Sequence, residues 1–430
     1  MKQFKSNLRL GFVYLLSIFA IVVSVAGAQD AQNLSEAEVL ARVEVTGKLN
    51  KLRLPVYAHL QNATGKDYAL VITSVLQLNE ARVSYEILDP ITVRDDGKFY
   101  MIAMMVTNDA REEAATTVDV LHDDGYHIIA RVSDSEAEQL LEFGFELALL
   151  NETPLVLREA TQRFLAQQAV DYNADVAEMI DSVNRGTVYE YMEYLTGERP
   201  VEIDGSDYTI ATRHTNSGTP IEKATQYVFE FMQELGLSVE YHGWESGSLD
   251  NRNVIGEKTG SKTPEEIVLI TAHLDSAPSG ELAPGADDNA SGSVGVMMAA
   301  EILVMMAAEI LSQSQYEFER TVRFVFFTGE EQGLRGSDKY ASKVVEDGDN
   351  VVAVYNMDMI AWDVRNKPKL RIYTRAKRDP GHDGDMVIAN TFVDVVDTYA
   401  LDTVLIPVIT PKGGHWGGHW SDHASFWDEG

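Results

Sequence analysis

Five residues in the second half of the chain, His273, Asp287, Glu331, Asp358 and His423, are of the types that bind metal ions. None of the 430 residues is cysteine, so any metal must be held by imidazole and carboxylate. That donor set suits zinc, with manganese or cobalt as substitutes. Five ligands overfill one tetrahedral site, but they fit two sites if one carboxylate bridges ions ~3.5–4 Å apart. Asp287 is the expected bridge, because the glycine-flanked turn Gly285-Ala-Asp-Asp-Asn-Ala-Ser-Gly292 can bring backbone close to the ions. Asp275, two residues after His273, can hold the second ring nitrogen and fix its tautomer.

Glu330 and Glu331 are adjacent. A hydrolase with a metal-bound water needs a base to take its proton and return it to the leaving amine. Neighbouring side chains on an extended backbone point apart, so one glutamate is expected to bind metal and the other to face the water. The residues leave open which does which. Taken alone, the pair reads equally well as a solvated acidic loop.

The elements that must position these groups argue for chemistry. Apolar runs at 267–271, 324–327 and 351–355 read as buried strands, and each is followed closely by His or carboxylate. Further strands are expected at 370–373 and 404–409. In α/β sheets the C-terminal strand edge is where ligands bind. A helix is expected over 176–191. Another starts with Thr219 as N-cap, Pro220 in first position and Glu222 closing a capping box. Its apolar face is Ile221, Ala224, Val228, Phe231 and Leu235.

Residues 1–28 read as a signal peptide: Lys2, Lys5 and Arg9, an apolar run from Leu10 to Val25, then Ala26-Gly27-Ala28. The run is short for a membrane span. A secreted or periplasmic protein, without membrane contact once the signal is removed, is expected. The net charge of −32 does not suit nucleic acid or anionic membranes. Residues 29–151 read as a small α/β N-terminal domain, in which two strand–helix–strand blocks recur with an offset of about sixty residues. Residues 152–175 read as a linker, and 176–430 as the domain that carries the chemistry.

His273-Leu-Asp-Ser, Gly-Ala-Asp-Asp-Asn-Ala-Ser-Gly292, Thr328-Gly-Glu-Glu-Gln-Gly-Leu-Arg-Gly-Ser, Asn356-Met-Asp-Met and Ser421-Asp-His-Ala-Ser-Phe follow one another in that order. Together they resemble the co-catalytic zinc aminopeptidases of the bacterial leucyl aminopeptidase type, over roughly residues 176–430. Tyr208-Thr-Ile-Ala-Thr-Arg-His214 and Asn251-Arg-Asn-Val254 are similar to that family too. The resemblance implies a three-layer α/β/α zinc-exopeptidase fold with a mixed, mostly parallel sheet. It implies two Zn2+ ions bridged by Asp287, one completed by Glu331 and His423, the other by His273 and Asp358. Glu330 would be the general base, Asp275 would support His273, and Asp288 the bridge region. The implied substrates are peptides with a free N-terminus. The family also implies an N-terminal pro-region that chaperones or inhibits the enzyme, and a monomer is expected. Rival readings are a dipeptidase or carboxypeptidase on the same scaffold, a one-metal glutaminyl cyclase, and a catalytically impaired binding relative.

Three features depart from the family. Val296-Met-Met-Ala-Ala-Glu-Ile-Leu303 recurs unchanged at 304–311. Eight residues add ~12 Å of helix and turn its face by ~80°, so the extra turns must project beyond the domain or displace one helix end. The two glutamates, Glu301 and Glu309, make a membrane helix a poor reading of this stretch. Gly413-Gly-His-Trp416 recurs as Gly417-Gly-His-Trp420. His415 and His419 are expected to be loop residues, and Trp416 and Trp420 to line an apolar pocket. Lastly, the sequence stops at Gly430, where the family continues with a strand and a helix.

Overall fold

The structure is a computed structural model that describes residues 37–430, apart from 91, 93–95, 105–107, 160–169, 278–281, 312–317, 363–367, 404 and 412–417. The expected signal peptide, His415 and Trp416 therefore lie outside the described residues. No described helix is long and apolar enough to cross a membrane.

The first half holds two antiparallel sheets of one design. β1 (Glu38–Glu44), β2 (Val56–Gln61), β3 (Asp67–Ser74) and β4 (Tyr85–Asp89) lie in the order β2-β3-β1-β4, with the helix Val75–Ala81 between β3 and β4. β5 (Phe99–Met104), β6 (Asp119–Asp123), β7 (His127–Val132) and β8 (Glu146–Leu149) repeat it as β6-β7-β5-β8, with the helix Asp134–Glu142 between β7 and β8. Ser133 and Glu136 form a capping box at that second helix. The two sheets share a buried cluster that contains Leu40, Leu70, Ile102, Ile129 and Ala148. Leu334 and Ala424, from the second half, belong to the same cluster. The stretch expected to be a linker is tied down near its start: Leu155 N donates to Val56 O and Val156 N to Asp428 O, each at 2.7 Å.

A short hairpin, β9 (Val201–Ile203) and β10 (Ser206–Tyr208), precedes the central sheet. That sheet contains β11 (Ser238–Ser246), β12 (Leu249–Lys258), β13 (Thr263–His273), β14 (Arg320–Phe327) and β15 (Asn350–Asn356), in the order β11-β12-β14-β13-β15. β14, β13 and β15 run parallel, whereas β11, β12 and β14 pair antiparallel. The sheet is thus mixed, with equal shares of the two pairings. A separate parallel pair, β16 (Lys369–Thr374) and β17 (Ile406–Pro411), follows.

Strand alternation builds the layers. Val322, Phe324 and Phe326 face one side, packing with the helices Thr219–Glu234 and Gly292–Leu311. Val325 and Phe327 face the other, packing with Tyr340 and Val344 of the helix Arg335–Asp347 and with Phe426. Two differences from expectation are local. The helix expected over 176–191 is two helices, Ala174–Asp181 and Arg185–Leu195, because Asn184 caps a fresh start at Gly186 N and Thr187 N. Thr219 is the first helical residue rather than the cap, and Ser217 Oγ accepts from Ile221 N at 3.1 Å.

The doubled segment continues as helix to Leu311. Val296, Met297 and Ala300, in the first copy, are buried, whereas Met305 in the second is 57 % exposed. Val304, the first residue of the second copy, still packs against that core. Phe326 is fully buried within the larger core. Phe326→Ala is expected to cost ~3–5 kcal/mol, read as a lower denaturation midpoint at unchanged m-value.

Candidate metal centre

Three adjacent parallel strands end together. His273 is the last residue of β13 and pairs with Phe327 of β14, while Thr271 pairs with Asn356 of β15. The chain beyond β14 carries Glu330 and Glu331, and the chain beyond β15 carries Asp358. His273, Glu330 and Glu331 bring ligand atoms within 4.8 Å of one another, and so do His273, Asp288 and Asp358. His273 belongs to both groups.

His273 is buried and oriented from behind. Its Nδ1 lies 3.1 Å from the Asp275 carbonyl and 3.5 Å from Asp275 Oδ1. Nδ1 therefore carries the proton and donates, which turns Nε2 towards Asp288 Oδ1 at 3.2 Å, Asp358 Oδ2 at 3.6 Å and Glu330 Oε2 at 3.9 Å. Asp275 is fixed in turn by Thr215 Oγ1 at 2.8 Å, and the same hydroxyl accepts from Gly329 N at 3.0 Å. Asp358 accepts from Ser421 Oγ at 2.6 Å. Glu331 Oε1 accepts from Ala277 N at 2.6 Å.

Of the two adjacent aspartates in the turn, Asp288 rather than Asp287 lies beside His273. Asp287 Oδ1 accepts from Ala361 N at 2.9 Å and Ser291 Oγ at 3.1 Å, which ties it to the loop after β15. Asp288 is the carboxylate beside His273, and its side chain is 47 % exposed. Gly285 has φ +39, and a Cβ there would run into the Asp288 carbonyl, so the chain folds tightly back on itself at this point. Across so tight a turn successive carboxylates diverge, and the second one reaches the centre. His423 joins neither group: its Nε2 donates to the Gly418 carbonyl at 2.8 Å, and its ring meets Trp427 edge-on. Among the duplicated loop residues, His419 pairs with Asp428 at 2.7 Å, and Trp420 stacks on His127 of the first half.

Sequence reading missed three contributors. Arg213 is fully buried, and its guanidinium donates to the carbonyls of Leu274, Leu195, Pro284 and Gly285 at 2.5–2.9 Å. It thus ties the chain beside His273 to the turn that carries Asp288. Asn253 accepts from Thr328 N at 3.1 Å and donates to Gly336 O at 2.8 Å, bracketing the Glu330–Glu331 loop. Both lie in stretches that had resembled the family without a stated task. Asp422, beside His423, is fully buried.

The electrostatics call for a cation. Burial, with Glu331 and Asp358 nearby, raises the Glu330 pKa well above the ordinary carboxyl range; burial and Asp288 do the same for Glu331. Burial, with Asp275 and Asp358, pushes Asp422 up to about 7. Burial opposes protonation of His273, but Glu330 and Asp358 outweigh it and hold its pKa well above normal. Burial likewise opposes ionisation of Asp358, but His273 and Ser421 outweigh it and hold the carboxyl low. His273 Nε2, Asp358 Oδ1 and both Asp422 oxygens are buried without hydrogen-bond partners. Orphan acceptors around one imidazole, with no cysteine, fit a hard or borderline divalent ion such as zinc.

A layered α/β sheet thus carries a histidine–carboxylate cluster at the C-terminal edge of its parallel strands. Residues 253–430 match the model of Peptidase family M28. A probable leucine aminopeptidase of Trichophyton verrucosum is 29 % identical over 204 residues, 45 % of this chain and 50 % of that protein. One from Arthroderma benhamiae is 35 % identical over 161 residues, 35 % of this chain and 42 % of that protein. The chain thus spans half or less of the curated relatives named here. Among solved structures, the LapA aminopeptidase of Legionella pneumophila is similar in fold, with TM-score 0.54 and 18 % identity, covering 77 % of this chain and 84 % of that one. LapB from the same organism gives TM-score 0.52 at 16 % identity, covering 77 % and 86 %.

A pH dependence follows from the raised carboxyls. In the metal-free protein Asp422 holds its proton up to about pH 7, against ~3.9 when unfolded. Its contribution to stability is complete below the unfolded value and is lost as pH rises to the folded one. Raised His273, Glu330 and Glu331 act in the same sense, and lowered Asp358 opposes them. The metal-free Tm is expected to fall by several degrees between about pH 5 and 7.5, and Asp422→Asn to flatten that fall. An unchanged slope in the variant would contradict this origin.

Proposed function

We propose that the chain is a metallo-aminopeptidase that releases N-terminal residues from peptides with two zinc ions and a glutamate base. The observation that carries this reading is the single orphan Nε2 of His273, shared between an Asp288–Asp358 group and a Glu330–Glu331 group. Asp288, which belongs to the first group and is open to solvent, is the proposed bridge in place of Asp287. His273 and Asp358 hold one ion and Glu331 the other. His423 is assigned to the second ion by the family resemblance, and would exchange its bond to Gly418 O for the metal.

When bound, the ions polarise the scissile carbonyl and acidify the attacking water. Glu330 is the base: its Oε2 faces the centre, and its raised pKa suits taking a proton and passing it to the leaving amine. Asp275 keeps the His273 proton on Nδ1, so Nε2 stays available as a ligand. Ala277 N fixes Glu331 Oε1 and leaves its second oxygen for the ion. The surrounding excess of carboxylate favours a substrate that presents a free, cationic α-amine. The positive, apolar start of the chain supports an exported enzyme, and its first half supports a pro-region docked on the peptidase half.

Glu330→Gln is expected to retain zinc and lose at least about a hundredfold in turnover, whereas Glu331→Ala and Asp288→Asn lose zinc. Metal analysis beside hydrolysis of leucyl anilide, with and without chelator, separates these outcomes. Equal zinc loss in all three variants would sink the division of roles, and equal cleavage of N-terminally blocked peptides would sink the aminopeptidase reading.

A further inference from the structure

We infer that Asp134, on a helix of the first half, is a positioning residue for the glutamate pair: acting through Arg335, it fixes the loop that carries Glu330 and Glu331. The inference rests on the function proposed above and gives the first half a part in it.

The loop from Gly329 to Arg335 is closed on itself. Arg335 N donates to Gly329 O at 2.9 Å, and Gly333 N and Leu334 N both donate to Glu330 O at 2.8 Å. Arg335 Nε adds a bond to Gln332 O at 3.0 Å. Arg335 is therefore the clasp, and whatever holds its guanidinium holds both glutamates. The residue is only 2 % exposed. Its Nη1 donates to Ser246 O at 3.1 Å and Ser246 Oγ at 3.0 Å, which are neutral partners. Among the described residues, the carboxylate that pairs with it is Asp134, at 2.9 Å. A buried cation without a counter-charge is strongly unfavourable, so the clasp depends on Asp134.

The helix that starts at Asp134 does not use it as a cap. Ser133 caps that helix, and Glu136 completes the box. The Asp134 carboxylate reaches into the second half instead, where its other oxygen accepts from Ser248 N at 2.7 Å. Phe99, at the start of β5, supports the same guanidinium, which lies 4.4 Å from the ring centroid.

The backbone of the loop also presupposes the first half. Leu334 has φ +64, a left-handed conformation that strains any residue with a Cβ. Its side chain shares a buried cluster with Ile102, Ile129 and Ala148, and that burial offsets the strain. Gly333 has φ +100, and a Cβ there would lie 2.9 Å from Leu149 N. Its carbonyl accepts from that same N–H at 3.3 Å. A further bridge ends on Gln332: His214 Nε2 lies 3.2 Å from both Glu138 Oε2 and Gln332 Nε2. Each residue from Gln332 to Arg335 is thus held from the first half. The docked half is a working part of the catalytic edge, not a cover over it.

The full chain is compared with Asp134→Asn, Asp134→Ala and Glu136→Ala. The last removes the cap of the same helix without touching Arg335. Amide hydrogen exchange, followed by mass spectrometry on the metal-free proteins, reads the loop directly. Both Asp134 variants are expected to exchange residues 329–335 about tenfold or more faster, with β13 and β14 still protected. Glu136→Ala leaves the loop protected. With zinc in excess, the Asp134 variants lose about tenfold or more in kcat on leucyl anilide at unchanged KM, because the base is misplaced while binding is not. Loop exchange unchanged in both Asp134 variants would overturn the inference, as would unchanged kcat in an active protein or equal loosening by Glu136→Ala. A loop loosened by both Asp134 variants in a chain that never cleaves leucyl anilide would overturn the proposed function and leave the Asp134 clasp standing.

Discussion

One buried imidazole surrounded by carboxylates is the constraint on which the rest of the structure depends. His273 lies against Asp275, Asp288, Glu330 and Asp358, and no lysine or arginine side chain pairs with it or them among the described residues. Without a metal ion the carboxylates repel one another, and each would turn to water if its backbone were slack. They stay because their backbones are not slack. Arg213 binds four carbonyls, Thr215 joins Asp275 to Gly329, Asn253 straddles the β14 loop, and Ser421 holds Asp358. Such preorganisation is stability given up in advance and recovered on metal binding.

The scaffold makes this affordable by concentrating strain at one edge. β13 and β14 are apolar on both faces and carry the domain's core, with β15 paired beside β13, so the strand ends are positioned by the best-packed part of the domain. The first half adds a second constraint. Its two sheets are alike in strand order, yet it is the edge strand of the second, β8, that reaches the metal edge. Leu334 and Ala424 complete the core between the sheets, so the two halves are packed together as interior rather than touching as surfaces.

Much of this was legible in the residues. Strand ends identify themselves where an apolar run stops at Gly or His, and His273, Glu330, Glu331 and Asp358 came from that signal. Register inside an irregular turn has no such signal. Asp287 and Asp288 are chemically identical neighbours, and only the fold-back at Gly285 decides which one faces inward. His423 is a similar case, since its hydrogen bond to Gly418 depends on the backbone path next to it, which side-chain identity does not set. Arg213 was hidden for another reason: its partners are all backbone carbonyls, which leave no trace in side-chain identity. The recurrence near sixty residues could be seen only loosely in sequence, because buried strands of Val, Ile, Leu and Ala exchange residues freely while keeping their order.

The doubled helix carries a consequence of its own. Gly292–Leu311 starts beside the Asp288 turn and spans about 30 Å, its first turns seated in the core and Met305, further along, exposed. It behaves as a cantilever anchored at the chemical end. Length added at the free end exerts no lever arm on the anchor, so this is a place where the chain can grow by whole segments while the catalytic edge keeps its spacing. An insertion of the same eight residues one turn after Asp288 would have no such tolerance.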